Sequence, residues 1–282
     1  MKIINGGEFT GERALFCSSD LKINGACFHS GESPLKESRN IELSACEFKW
    51  KYPLWYCRGV VAENTVLRDT ARSGIWYTNN ITMTDCVIES PKTFRRSSDI
   101  SLYRVELKNA LETMWHCDGV ELREVGIRGD YFGFCATNVN ADGLDVEGNY
   151  IFDGGKNITV RNSRLISKDA FWNCENVLVE NCTIVGEYLG WNSKNVTFVN
   201  CTIESNQGMC YMDNVTLRGC TLVNTDLCFE YCTVDAEIVS HVDSVKNPTA
   251  GRIVAESIGE IILEDDKVDT SKTVITEAKR NV

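Results

Sequence analysis

A repeat of 19 residues limits what this chain can fold into more than any other feature. Asn176-Val177-Leu178-Val179-Glu180-Asn181-Cys182-Thr183-Ile184 aligns with Asn195-Val196-Thr197-Phe198-Val199-Asn200-Cys201-Thr202-Ile203, and again with Asn214-Val215-Thr216-Leu217-Arg218-Gly219-Cys220-Thr221-Leu222. Followed in both directions, the first apolar position of this frame falls at Leu21, Ile41, Val60, Ile81, Ile100, Val120, Val139, Ile158, Val177, Val196, Val215 and Val234. Such a period belongs to a solenoid, whose repeats bury their apolar sides only by stacking on their neighbours.

Within a repeat, apolar residues stand at the start and at the second, fifth and seventh positions after it, as in Ile81, Met83, Cys86 and Ile88. Each pair alternates as a strand does, with a bend between the pairs. Two short strands and a third segment per repeat predict an all-β chain: a right-handed parallel β-helix of about 12 coils, each 19–21 residues long. A leucine-rich repeat would need a leucine-dense consensus and usually a helical segment, and no 3.6-residue pattern is present. After the Val234 coil the period fades. Residues 1–263 are therefore expected to form one β-helical unit closed by an irregular C-terminal cap over the strand edges, and 264–282 a loosely ordered tail.

Two columns of the alignment support stacking. The residue before each coil start is Asp20, Asn40, Gly59, Asn80, Asp99, Gly119, Asn138, Asn157, Asn176, Asn195 or Asn214, all residues that tolerate a left-handed turn. The fifth position places Cys46, Cys86, Cys182, Cys201 and Cys220 at an inner bend, where a small apolar side chain fits. The 14 cysteines thus read as free buried thiols rather than a disulfide framework. Without CxxC pairs, no metal is expected, and no cofactor.

A formal charge of -11 argues against nucleic-acid and anionic-membrane partners. No apolar run has the length of a signal peptide or a membrane span, so a soluble, cytoplasmic protein is expected.

Counting back from each coil start separates core from candidate surface. Six residues before it stand Leu35, Leu54, Ile75, Phe94, Phe152 and Phe171, an inward position. Five before it stand Trp55, Trp76, Arg95, Trp115, Asp153, Trp172 and Trp191, which alternation then turns outward. The column at eight before adds Glu112, Tyr131, Tyr150, Asp169 and Tyr188, and the column at nine adds Asp130, Lys168 and Glu187. Aromatic rings interleaved with charges of both signs suit a sugar chain, whose C–H faces stack while its hydroxyls hydrogen-bond. The candidate substrate-binding residues are accordingly Trp55, Trp76, Arg95, Trp115, Tyr131, Tyr150, Lys168, Trp172, Glu187, Tyr188 and Trp191.

For chemistry the candidates are Glu112, His116, Asp130, Asp153 and Asp169, which fall within four consecutive coils. Glu112 and Asp130 lie one coil and one column apart, a spacing compatible with paired carboxylates in sugar hydrolysis, and Asp169 and Glu187 repeat it. An eliminating route would use Arg95 or Lys168 instead. No Ser-His-Asp signature, Walker loop or Rossmann glycine pattern occurs.

The repeat, together with Lys49-Trp50-Lys51-Tyr52-Pro53-Leu54-Trp55-Tyr56, Gly74-Ile75-Trp76-Tyr77-Thr78-Asn79, Ser167-Lys168-Asp169-Ala170-Phe171-Trp172-Asn173-Cys174 and Gly186-Glu187-Tyr188-Leu189-Gly190-Trp191-Asn192, resembles a bacterial family of unknown function over nearly the whole chain. That family is similar to the pectin-lyase-like β-helix superfamily, which implies the fold but not a reaction. Of the polygalacturonase-type motifs, Asn224-Thr225-Asp226 matches the first, while the Asp-Asp and Gly-His-Gly that should follow are missing. Arg95 and Arg96 near Asp130 only faintly match the calcium-dependent lyases. Two functions follow as expectations. One is a carbohydrate-binding or carbohydrate-active β-helix, whether hydrolase or lyase, with an oligosaccharide or polysaccharide ligand. The other is a non-catalytic scaffold that uses the aromatic face for homo-oligomerisation or protein binding.

Overall fold

The computed structural model describes residues 1–278, and close contacts group the chain into two compact units, Met1–Val146 and Glu147–Val282. Each unit is a parallel β-helix, the expected all-β class. In the first, the long strands are Lys2–Asn5, Ser19–Asn24, Arg39–Ser44, Arg58–Glu63, Asn79–Thr84, Ser98–Tyr103, Asp118–Arg123 and Thr137–Asp142. They pair in parallel with the coil starts in register, Leu21 beside Ile41, Ile41 beside Val60, Val60 beside Ile81. Alternation sends Leu21 and Ile23 inward and leaves Lys22 half-exposed, and the same holds coil after coil. Short strands such as Cys27–Phe28 and Glu47–Phe48 close the core from a second side, with Phe9, Phe28 and Phe48 stacked at 4.9 and 4.5 Å. Each such side chain contributes about 1.5–3 kcal/mol relative to exposure.

The second unit carries Lys156–Arg161, Glu175–Glu180, Lys194–Val199, Asp213–Val223, Thr233–Ile238, Ala250–Ala255 and Thr273–Glu277. Ile158, Val177, Val196, Val215 and Val234 stand in successive register, and the ladder then continues from Val234 to Gly251 and from Gly251 to Thr273. His241–Lys246 and Ser257–Ile262 form a separate parallel pair. The described residues therefore make about fifteen coils rather than a dozen. One added strand precedes the Leu21 coil and two follow the Val234 coil. All three escape the apolar frame because Lys2, Gly251 and Thr273 occupy the starting position. The stretch 264–278 holds a 3-10 turn, Thr270–Lys272, and the strand Thr273–Glu277; the rest of the expected tail, 279–282, lies outside the described residues.

Left-handed corners turn the coils. Asp20, Asn40, Asn80 and Asn176 have φ between 50° and 59°, as the column before the coil start requires. Three residues further back, the corner is made by Tyr56, Tyr77, Arg96, His116, Asn173 and Asn192, also at positive φ. The expected fifth-position cysteines are buried, and each thiol points at a carbonyl of the preceding coil, as Cys46 Sγ does to Ile23 O at 3.4 Å and Cys201 Sγ to Val179 O at 3.5 Å. All fourteen cysteines are free. Burial pushes the Cys57 and Cys117 thiols up to about 12.

Candidate functional site

The column six residues before the coil start is buried, with Leu54, Ile75 and Phe94 fully enclosed, and Trp55 and Trp76 beside them are half-exposed. The inward and outward assignment thus holds, although turns carry it rather than a continuous strand. Among the described residues, what is strand-like there is the isolated bridges Trp76 to Arg95, Arg95 to Trp115 and Cys228 to Val245.

In the first unit the outward side chains close on one another. The Trp55 and Trp76 rings stack at 5.1 Å and 7°. The Arg95 guanidinium occupies the next place, 4.8 Å from the Trp76 ring and 4.5 Å from that of Trp115, and Phe134 follows Trp115 at 5.0 Å. Glu112 holds Arg95 at 3.3 Å and Lys92 at 3.1 Å. Every indole N–H in this ladder donates to a carbonyl of the next coil: Trp55 to Ser73 at 2.5 Å, Trp76 to Lys92 at 2.8 Å, Trp115 to Tyr131 at 2.7 Å. Rings fixed in this way are engaged by one another and by Arg95.

In the second unit the ladder is open. Trp172 and Trp191 hold the same place on successive coils but make no ring contact with each other among the described residues. The Trp172 ring lies nearly parallel to that of Tyr150, at 6.1 Å and 19°, and Trp191 is met by Tyr188 at 5.1 Å and 71° and by Tyr211 at 5.0 Å. Trp191 donates its indole N–H to Gln207 O at 2.5 Å. The Trp172 N–H meets no acceptor among the described residues. A cleft of about 320 Å³ opens beside these two rings, lined by Tyr150, Lys168, Asp169, Trp172, Tyr188, Trp191 and Gln207.

Asp169 gives this cleft its chemistry. It is 4% exposed and stands at a left-handed corner, with its backbone N–H on Glu187 O at 2.9 Å. Burial raises its pKa, against the pull of Lys168 and of a hydrogen bond from Tyr150. Lys168 pairs with Glu187 at 3.3 Å and lies 5.1 Å over the Tyr188 ring; the carboxylate beside it raises its pKa.

The sequence candidates are thereby divided. Glu112, His116 and Asp130 belong to the first unit with Trp55, Trp76, Arg95, Trp115 and Tyr131; Asp153 and Asp169 belong to the second with Tyr150, Lys168, Trp172, Glu187, Tyr188 and Trp191. Glu112 and Asp130 are neighbours as the spacing required, the Glu112 N–H bonding Asp130 O at 3.0 Å, but the Glu112 carboxylate turns to Arg95 and Lys92. His116 is exposed at a corner, edge-on to Phe134 at 5.6 Å. Asp153 accepts from Asn173 at 3.0 Å. Gln207 completes the cleft; the sequence places it in the Tyr150 and Asp169 column but not among the candidate binding residues.

The chain belongs to the family described as protein of unknown function DUF3737, which matches residues 2–276. No curated protein matches it. Among solved structures it is similar to PfbA, a surface adhesin of Streptococcus pneumoniae, at 10% identity over 83% of this chain and 71% of that one, with a TM-score of 0.38. The full-length QnrB1 plasmid-mediated fluoroquinolone resistance protein matches at 14% identity over 79% of this chain and 94% of that one, with a TM-score of 0.25. At these scores neither likeness bears on function.

Proposed function

We propose that this protein is a carbohydrate-binding β-helix whose ligand site is the cleft between Trp172 and Trp191. One observation carries the proposal. Of the tryptophans in this column, Trp172 alone has an indole N–H that meets no acceptor among the described residues, and it borders a space that can take a sugar ring. An aromatic face, a free indole donor, the Asp169 carboxyl, the Tyr150 hydroxyl and the Gln207 amide together match the mixed apolar and hydroxyl character of a pyranose. Binding is favoured over cleavage because Asp169 is the single carboxylate lining the cleft, whereas hydrolysis needs two flanking the bond.

The test is a screen of neutral and acidic oligosaccharides by calorimetry, with sizing chromatography alongside. At least one glycan is expected to bind, and Trp172→Ala is expected to abolish its binding while circular dichroism stays unchanged. Product formation on long incubation would establish an enzyme instead. If no glycan binds and Trp172→Ala shifts a dimer to a monomer, the aromatic face is an assembly surface and the carbohydrate reading fails.

A further inference from the structure

We propose that Glu8, Cys27 and His29, in the first unit, form a binding site for a zinc ion. The short strands Glu8–Phe9 and Cys27–Phe28 pair in parallel, which sets Glu8 directly beside Cys27. Phe28 is buried, so alternation turns Cys27 and His29 together to the outer face on which Glu8 stands. The carboxylate oxygen, the thiol sulfur and an imidazole nitrogen all lie within 4.8 Å of one another. His29 Nε2 bonds the Glu8 carboxylate directly, so two of the three ligands already face each other.

The donor set selects the ion. Calcium and magnesium take oxygen ligands, whereas one sulfur, one nitrogen and one oxygen form a borderline-soft set suited to tetrahedral zinc. The fourth corner falls to water. Glu47, the register partner of Cys27 on the following coil, accepts from the Cys27 thiol at 3.5 Å, but Arg68 at 2.5 Å and Lys49 at 3.1 Å hold its carboxylate against filling that corner. On binding, a zinc–sulfur bond forms and the thiol proton passes to solvent, with no change of oxidation state.

Cys27 also departs from the pattern of its kind. Eleven of the fourteen cysteines are buried, and their thiols face carbonyls of the stacked interior; Cys27 instead faces outward beside one of only three histidines in the chain. Glu8 comes from one coil and Cys27 and His29 from the next, so a bound ion would tie the first two coils together.

The experiment titrates the full chain with cobalt(II) and then with zinc. One equivalent of cobalt is expected to give a thiolate-to-cobalt charge-transfer band with tetrahedral visible bands, which zinc bleaches, and zinc is expected to raise the melting temperature. Cys27→Ser is expected to remove the band, His29→Ala to weaken binding enough that the tetrahedral bands are lost, and Cys17→Ser to change neither. All three side chains point outward, so circular dichroism is expected to show the variants folded. A wild-type titration without a thiolate band would overturn the proposal. So would a band that survives Cys27→Ser, or one that His29→Ala leaves unaltered.

Discussion

In the first unit Trp55 and Trp76 lie 5.1 Å apart and nearly parallel, with Arg95 filling the next place; in the second, Trp172 and Trp191 hold equivalent places on successive coils and leave a cleft beside them. Both tryptophan pairs use one register and one residue type. What differs is whether each ring has a neighbour at stacking distance and a carbonyl for its N–H. Where both are present, a tryptophan becomes part of the solenoid's stability. In the second unit Trp191 has both, whereas Trp172 keeps a ring neighbour in Tyr150 at 6.1 Å but has no acceptor for its N–H among the described residues, so that its donor remains open to a ligand. A tryptophan column on a β-helix is therefore not a binding surface by composition alone.

The sharpest way to break this distinction is to remove one ring from each column and compare stability by urea unfolding. Trp76→Ala loses two stacked neighbours and an indole hydrogen bond, and is expected to cost about 2–3 kcal/mol, somewhat below a fully buried tryptophan because the ring is half-exposed. Trp172→Ala is expected to cost less than about 1 kcal/mol. Equal costs would mean that the second column is as structural as the first. A smaller effect comes from Arg95→Met, which keeps the bulk but withdraws the cation from two rings and from Glu112. It is expected to cost about 1–2 kcal/mol, measured in the same way.

The smallest effect is the most diagnostic of the cleft. A carboxyl whose pKa in the folded state lies above its unfolded value binds its proton more tightly in the fold. Ionised Asp169 therefore penalises folding at neutral pH, and the penalty lifts as pH falls through the folded pKa towards the unfolded value of 3.8. Asp169→Asn is expected to raise the melting temperature by on the order of a few degrees at neutral pH, with the gain vanishing in acid. A gain that is the same at both pH values would show that the carboxyl is not strained by burial.

Much of the fold was legible because the repeat states it redundantly. Apolar alternation set the strands, and the asparagine column marked one corner with residues suited to φ near 55°. The second corner was hidden because Tyr56, Tyr77 and Arg96 stand at positive φ, where no propensity argument places aromatic or charged residues. The end coils were hidden for a different reason: hydrogen bonding to an adjacent strand suffices to add a coil even when Lys2 or Thr273 occupies the apolar slot. For the site, column and direction could be read off the sequence. Whether two rings touch could not, since that depends on side-chain torsions and on carbonyls contributed by turns. Cysteine spacing along the chain could not show that Glu8 stands beside Cys27, because a strand register one repeat long brings them together.

The buried thiols have a consequence for how this protein can be watched as it unfolds. Cys46, Cys57, Cys86 and Cys117 punctuate the first unit, and seven more buried cysteines punctuate the second, each enclosed by its own coil and those beside it. In a solenoid, stability is carried by repeat-to-neighbour interfaces, so opening can be local. The rate at which an alkylating reagent reaches each sulfur then reads the opening free energy at that point along the chain, without any label being introduced. Mapped by mass spectrometry, the native cysteines would give a position-resolved profile of fraying, coil by coil, from a single unmodified sample.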